Sequence, residues 1–163
     1  MNSMTKVDID KVSDILQNHK SMLGAMLPIL HAIQEHFGYV PETTVPMIAS
    51  SLNQSRAEVH GVISFYHHFL TTKPGQNQIS VCRAESCQAM GSRNLEGQIK
   101  QRLNIDYHQT SGDGRYTLLP VYCLGNCSCS PAIRIGDDIH GDMTINKFEE
   151  LLDEMDTYSL ELK

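Results

Sequence analysis

The chain has 163 residues, of which 40% are hydrophobic and 20% charged, and its formal net charge is −6 at pH 7. This composition indicates a globular protein of one domain or two small ones, and the acidic balance without a clustered basic face excludes a nucleic-acid binder. No apolar run is long enough to predict a membrane span. The first residues also lack the apolar segment of a secretory signal, so we expect a cytoplasmic protein with reduced thiols.

The first half of the chain carries helical patterns. Apolar residues recur at helical spacing over residues 8 to 19 and predict a short amphipathic helix. A longer and more apolar helix is predicted over residues 21 to 37, where Pro28 either kinks the helix or marks its true first turn. Gly38 is the predicted left-handed cap at its end.

Two further helices are predicted before the middle of the chain. One begins near Pro41 and extends to Leu52, because proline is favoured in the first helical turn. Ser55 and Glu58 form a capping-box pattern for the next helix. Its continuation over residues 60 to 70 is rich in apolar and aromatic side chains and indicates a packing surface.

Residues 71 to 77 form the predicted linker, because this stretch is short, polar and contains a Pro-Gly turn signal. We therefore divide the chain into a helical docking segment, residues 1 to 74, and a second domain, residues 75 to 163. The docking role follows from the apolar content of the helical segment, which exceeds what a short bundle needs for its own core. The aromatic residues concerned are Phe65, Tyr66 and Phe69.

Beyond the linker the pattern changes to mixed α and β. Alternating apolar residues predict strands over residues 78 to 82 and 116 to 122, with a helix between them that Ser92 caps. A hairpin over residues 132 to 143 and a closing helix over residues 144 to 155 follow. The order β, α, β, β, β, α is typical of a thioredoxin-like fold, so the predicted class is α+β with a helical segment in front.

All five cysteines lie at or after the ends of the two predicted strands. Four residues separate Cys82 from Cys87, three separate Cys123 from Cys127, and one separates Cys127 from Cys129. Neighbouring strands would bring both pairs to one point, where four thiolates suit zinc or an iron–sulfur cluster. Structural zinc sites commonly use shorter gaps, so the wider gaps favour a 2Fe-2S cluster, with zinc and redox-active or structural thiols as alternatives.

Two functions of other classes use the same residues. A zinc-stabilised, noncatalytic assembly module would need the same four thiols. A thioredoxin-type oxidoreductase using Cys82 and Cys87 fits less well, because its cysteines normally have two residues between them. His60, His67 and His68 are a further candidate metal group, but adjacent histidines on a helix point in different directions, and we interpret them as helix surface. No nucleophile with a base and an orienting partner is evident, so we expect no substrate site.

Several motifs resemble those of a known family. They are C-x4-C, Cys-Leu-Gly-x-Cys, Asp-Gly-Arg-Tyr-Thr-Leu and Gly-Tyr-Val-Pro. Over nearly its whole length the chain is similar to the thioredoxin-like 2Fe-2S subunits that accompany NADH-oxidising flavoproteins, including those of respiratory NADH:quinone oxidoreductase and of the diaphorase part of NAD-linked hydrogenases. Residues 27 to 35, 55 to 67 and 82 to 91 look most like the gamma subunit of NAD-dependent, molybdenum-containing formate dehydrogenases.

The resemblance implies that one 2Fe-2S cluster is ligated by Cys82, Cys87, Cys123 and Cys127. Cys129 has no counterpart in the family motif, and we interpret it as an ordinary small buried residue, with exchange for the neighbouring ligand Cys127 as the alternative. Gly125 is expected to let the backbone approach the cluster and donate hydrogen bonds to its sulfurs. The implied partners are an FMN- and NADH-binding flavoprotein subunit and a larger molybdenum-containing catalytic subunit. We therefore expect a subunit of an NAD-dependent formate dehydrogenase that exchanges single electrons with the flavin.

Overall fold

The protein is described by a computed structural model over residues 6 to 161, with side-chain environments for residues 8 to 157. Within these residues the chain divides into two compact units, one ending at Lys73 and the other beginning at Pro74. No helix in the described part of the chain has the length and apolar character needed to cross a membrane.

The first unit is helical. Its elements are α1 (Lys6–His19), α2 (Met26–Phe37), a short 3₁₀ helix (Glu42–Thr44), α3 (Val45–Leu52) and α4 (Arg56–Phe65). The prediction that a helix begins at residue 21 is wrong, because Gly24 adopts a left-handed conformation with φ 71° that interrupts a helix. Pro28 therefore lies in the first turn of α2, where its missing N–H breaks no helical hydrogen bond. Gly38 ends α2 in the predicted left-handed conformation, with φ 81°.

Aromatic residues at and after the end of α4 differ in their burial. The predicted capping box is present, because the Ser55 side chain accepts the Glu58 N–H and the Glu58 carboxylate accepts the Ser55 N–H. The prediction of an apolar helical continuation to residue 70 is wrong, since α4 ends at Phe65. Phe69 is 6% exposed and packs into the core of this unit, whereas Phe65 and Tyr66 remain 75% and 42% exposed.

The second unit is built around a four-stranded sheet of strand order β2, β1, β3, β4. Its elements are β1 (Asn77–Cys82), α5 (Glu85–Ala89), α6 (Ser92–Leu103), β2 (Tyr116–Val121), β3 (Ile133–Ile135), β4 (Asp138–His140) and α7 (Ile145–Glu161). β1 and β2 are parallel and are joined through α5 and α6, while β3 is antiparallel to both β1 and β4. The predicted order of strands and helices is confirmed, with α5 as an additional short helix.

The pairing of β1 with β2 positions the cysteines. Cys82 lies opposite Val121, the last residue of β2, so the chain leaves both strands at the same edge of the sheet. The sheet is anchored below this edge by Ile79, Leu118 and Phe148, which are fully buried in one core. Cys82, as the last residue of a well-packed strand, is therefore held in a defined position, since side chains on rigid elements are placed more precisely than those on loops.

Candidate metal centre

Cys82 and Cys87 form a buried pair. Cys82 is the last residue of β1 and Cys87 lies in α5, and each side chain is 2% exposed. The two thiols are close enough for each to influence the pKa of the other. They share a small apolar cluster with Ala132, so water is excluded from this side of the site. The residues packed around this cluster are Ala84, Val121 and Leu124.

Cys123 and Cys127 form a second, exposed pair. Cys123 follows the end of β2, and Cys127 begins a short 3₁₀ helix that ends at Cys129. The Sγ atoms of Cys123 and Cys127 are 3.9 Å apart. Gly125 lies between them with φ 76°, and its N–H donates a hydrogen bond of 3.3 Å to the Cys123 sulfur. The expected close approach of the Gly125 backbone to a sulfur is therefore present.

The two pairs face one another across a single site. The Leu124 N–H, from the loop of the second pair, interacts with the Cys82 thiol of the first. The Ser86 hydroxyl, which precedes Cys87, donates a hydrogen bond of 3.2 Å to the carbonyl oxygen of Cys127. These contacts join the end of β1 and helix α5 to the loop after β2.

The thiols are arranged as two pairs rather than around one point. Among the residues that the structure describes, no group of three or more His, Cys, Asp and Glu side chains converges on a single metal-ion position. A tetrahedral zinc site needs four ligands at about 2.3 Å from one ion, whereas a 2Fe-2S cluster is bound by four thiolates shared between two irons. Four thiols supplied as two pairs match the ligand set of a 2Fe-2S cluster, and we propose Cys82, Cys87, Cys123 and Cys127 as its ligands.

The surroundings of the thiols shift their pKa values in different directions. Burial raises the pKa of Cys82, although the Ala84 N–H acts in the opposite direction. The hydrogen bond with Cys123 and the charge of neighbouring thiols raise the pKa of Cys127. Burial acts to raise the pKa of Cys87, but hydrogen bonds, the largest from Ser130, outweigh it and lower the pKa. Metal ligation requires thiolates, so binding must displace protons from Cys82 and Cys127.

Backbone N–H groups surround the sulfurs. Ala84 and Leu124 interact with Cys82, and Ala132 with Cys87, in addition to the Gly125 hydrogen bond to Cys123. Such donors stabilise negative charge on sulfur, and hydrogen bonds to ligand sulfurs are one of the means by which a protein sets a cluster's reduction potential.

Three serines that were not predicted to belong to the site also organise it. Ser130 and Ser86 contact the ligand loops, and Ser92 donates a hydrogen bond to the carbonyl oxygen of Cys82. The prediction that Ser92 caps a helix is wrong, because Gly91 occupies the cap position and Ser92 is the first residue of α6. The only signal in the sequence is that Ser86 and Ser130 each directly adjoin a cysteine.

Cys129 is only half-buried, so the prediction of a buried residue is wrong, and it packs against the turn that precedes α7. Its carbonyl oxygen accepts the Asp142 N–H at 2.7 Å, and its Sγ is 3.8 Å from the Ser128 hydroxyl. A Cβ at Gly141 would come within 2.6 Å of both the Cys129 Cβ and the Asn126 side-chain nitrogen. Gly141 therefore permits a close approach between this turn and the loop that carries Cys127.

Two of the three candidate histidines do not lie on a helix, so their interpretation as helix surface is wrong. His67 and His68 come after the end of α4, and the ring centroid of His68 is 5.4 Å from that of His31. Among the residues that the structure describes, neither histidine belongs to a group of three or more His, Cys, Asp and Glu side chains that could hold a metal ion.

Comparison with known proteins bears directly on this site. A family model described as Thioredoxin-like [2Fe-2S] ferredoxin matches residues 12–156 of the chain. A subunit of the NADH-quinone oxidoreductase of Pseudomonas aeruginosa is 33% identical over 150 residues, which are 92% of this chain and 90% of that protein. The HndA subunit of the NADP-reducing hydrogenase of Solidesulfovibrio fructosivorans is 30% identical over 131 residues, which are 80% of this chain and 77% of that one.

A solved structure shares the fold. A chain of an NAD+-reducing [NiFe]-hydrogenase in the air-oxidized state matches 79% of this chain with a TM-score of 0.66 and 19% sequence identity. This chain spans only 23% of the hydrogenase chain, so the likeness concerns one part of a larger protein.

Proposed function

The chain belongs to the thioredoxin-like 2Fe-2S ferredoxin family, and from this premise we propose that it is the one-electron carrier of an NAD-linked oxidoreductase complex. Members of this family carry one 2Fe-2S cluster. The observation that carries the proposal is the pairing of four thiols at adjoining strand ends, with Cys82 and Cys87 buried and Cys123 and Cys127 exposed.

The side chains of the site have distinct roles in this proposal. A bound 2Fe-2S cluster supplies reversible uptake of one electron. Cys82 and Cys87 hold their half of the site in an apolar cluster that excludes water. The backbone N–H groups of Leu124, Gly125 and Ala132 stabilise the charge on the sulfurs.

The exposed pair marks the side on which we expect an electron partner. Cys123 and Cys127 are both exposed, and the Tyr122 side chain next to them is 66% exposed. The two relatives and the structural match are named for reactions of nicotinamide nucleotides. We therefore propose that the partner is an FMN- and NADH-binding flavoprotein subunit, and that substrates react in other subunits.

This part of the proposal is tested by mixing the purified chain with the flavoprotein subunit. We expect NADH to bleach the visible absorption of the cluster only when the flavoprotein is present. Dithionite should reduce the cluster in the chain alone. Rapid reduction by NADH without any partner would contradict the division of roles.

For the parent complex, we propose an NAD-dependent formate dehydrogenase with a molybdenum-containing catalytic subunit. The support is the resemblance of residues 27 to 35, 55 to 67 and 82 to 91 to its gamma subunit. The second candidate is the equivalent subunit of an NADH:quinone oxidoreductase or of a hydrogenase diaphorase, which the names of the relatives favour.

Isolation of the tagged chain from its native cells distinguishes these complexes. Formate-dependent reduction of NAD by the isolated complex, together with bound molybdenum, would support the formate dehydrogenase. Co-isolation with quinone-reductase or hydrogenase subunits, without formate oxidation, would replace it with the second candidate.

We further propose that the helical unit docks onto a neighbouring subunit. Its exposed aromatic residues are Phe65 and Tyr66, whose rings lie 5.0 Å apart in an edge-to-face arrangement. Large exposed aromatic side chains of this kind are enriched at protein interfaces.

A further inference from the structure

The hydroxyl of Ser130 lies between the two halves of the proposed metal centre. Its Oγ is 3.5 Å from the Sγ of Cys87, 2.9 Å from the carbonyl oxygen of Cys127 and 3.0 Å from the Oγ of Ser86. Ser130 is 6% exposed, so bulk water does not compete for these contacts. The position joins the ligand in α5 to the ligand loop after β2.

The hydroxyl protons and their acceptors can be counted. A thiolate and a carbonyl oxygen only accept hydrogen bonds, and each serine hydroxyl donates one. Ser86 and Ser130 are both within reach of the Cys127 carbonyl oxygen, but only Ser130 contacts the Cys87 sulfur. With Cys87 deprotonated, both acceptors are satisfied when Ser86 donates to the carbonyl oxygen and Ser130 donates to the sulfur.

We propose that Ser130 is a positioning residue that donates a hydrogen bond to the ligand sulfur of Cys87 and thereby raises the reduction potential of the cluster. This inference rests on the proposed ligand set. Reduction adds negative charge to the cluster, so a donor at a ligand sulfur stabilises the reduced form more than the oxidised form. The buried setting strengthens the effect, because hydrogen bonds are electrostatically stronger at low dielectric.

Ser86 has an indirect part in the same arrangement. It does not contact the sulfur, but its hydroxyl supplies the Cys127 carbonyl oxygen. Without Ser86, the single proton of Ser130 is divided between the carbonyl oxygen and the sulfur. Removal of the Ser86 hydroxyl should therefore weaken the hydrogen bond to Cys87 and lower the potential, although by less than removal of the Ser130 hydroxyl.

The test compares midpoint potentials of the cluster-loaded full chain by EPR-monitored redox titration. The variants are Ser130→Ala, Ser86→Ala and Ser130→Thr, with Ser128→Ala as the matched control. Ser128 lies in the same loop, but its hydroxyl contacts Cys129, which is not a proposed ligand. Ser130→Ala leaves the Cys127 carbonyl oxygen with its donor from Ser86, so the loop keeps one of its connections to α5.

We expect Ser130→Ala to lower the equilibrium constant for one-electron reduction by about tenfold, which corresponds to about 59 mV. Ser86→Ala should shift in the same direction by less, Ser130→Thr should stay near the wild type, and Ser128→Ala should not shift. Equal potentials for Ser130→Ala and Ser128→Ala at equal iron content would overturn the proposal.

Two further results would also be decisive. If Ser130→Ala binds no cluster, an unchanged potential in Ser86→Ala would overturn the proposal and a negative shift would support it. A wild-type chain that contains neither iron nor sulfide would instead overturn the proposed function, and the inference with it, which distinguishes that failure from an unchanged potential.

Discussion

The sulfur atoms of Cys123 and Cys127 lie 3.9 Å apart in the exposed part of the proposed metal centre. Cys82 and Cys87, the other proposed pair, are buried with Ala132. This difference assigns separate roles to the two halves of the site. The buried half is anchored in the fold, while the exposed half lies where a partner can approach, as one-electron exchange between subunits requires.

The first prediction concerns the ligand set. Replacing Cys127 with serine should abolish the visible absorption of the cluster, because the site would lose one of the four thiolates proposed to hold it. Cys129→Ser should keep a cluster content near that of the wild type, since Cys129 is not a proposed ligand and its sulfur lies against the Ser128 hydroxyl. Iron and sulfide analysis of the two variants measures the difference. The reverse result would exchange the roles of Cys127 and Cys129.

The second prediction concerns the close approach at Gly141. An alanine Cβ would meet the side chains of Asn126 and Cys129 at 2.6 Å, a distance that real Cβ contacts do not reach. Gly141→Ala should therefore displace the loop that carries Cys127, lower cluster occupancy and lower stability by about 1–3 kcal/mol.

Gly97→Ala is the matched control for this change. Gly97 lies in α6 and is exposed, and no neighbouring atom comes within 4 Å of the position that an alanine methyl group would take. Alanine there should stabilise the chain by about 0.5–1 kcal/mol, because it lowers the entropy lost on helix formation. Chemical denaturation measures the stability of both variants, and iron analysis measures their cluster content. Equal stability and equal iron content in the two variants would be incompatible with a steric role for Gly141.

The third prediction concerns the ion pairs beside β1. Glu96 lies 3.1 Å from Arg83 and 2.8 Å from Lys100, and its side chain is 13% exposed. Burial acts to raise the pKa of Glu96, but the hydrogen bond from Lys100, the nearby Tyr107 hydroxyl and the positive charges of Lys100 and Arg83 lower it below its usual value of 4.5. We expect Glu96→Gln to lower the free energy of unfolding by about 1–3 kcal/mol at pH 7.

The sign of the pH dependence follows from this lowered pKa. The ionised Glu96 contributes stability that is complete above pH 4.5 and is lost as pH falls through its pKa in the folded protein. The difference in free energy of unfolding between the wild type and Glu96→Gln should therefore become smaller in acid. Glu149→Gln is the control, because the Glu149 pair with Arg102 is about half exposed and exposed pairs contribute about 0–1 kcal/mol. If the difference in free energy of unfolding between the wild type and Glu96→Gln is the same in acid as at pH 7, the stabilising role of the Glu96 ion pairs is contradicted.

The fourth prediction concerns docking of the helical unit. Phe65 is 75% exposed, so Phe65→Ala should leave stability within about 0.5 kcal/mol of the wild type. If the helical unit docks through this residue, the variant should associate more weakly with the flavoprotein subunit. Leu23→Ala, at a fully exposed position of the same unit, should leave association unchanged. Titration calorimetry measures both, and equal affinities would exclude Phe65 from the interface.

The regular elements were predictable because their apolar residues repeat with the period of a helix or a strand. α5 was not predicted, because its five residues are too few to show a helical period. Yet this helix carries Cys87 back toward Cys82. The exposure of aromatic residues near residue 65 was only partly predictable, because Phe65 and Phe69 are alike in sequence and only tertiary packing buries one of them.

The candidate site was predictable in its cysteines but not in its connections. Cysteine spacing after two strands indicates which thiols are near one another. The contact of Ser130 with Cys87 joins residues 43 positions apart, and the close approach of Gly141 to Cys129 depends on the path of the chain after β4. No local pattern encodes such contacts, since they arise from how the strands pair.

The metal content of the chain tests the central claim most directly. Protein purified without oxygen and analysed for iron, zinc and acid-labile sulfide should contain about two irons and two sulfides per chain and give a 2Fe-2S EPR signal after reduction with dithionite. One zinc ion per chain, with no sulfide and no EPR signal, would contradict the account and favour the noncatalytic assembly module.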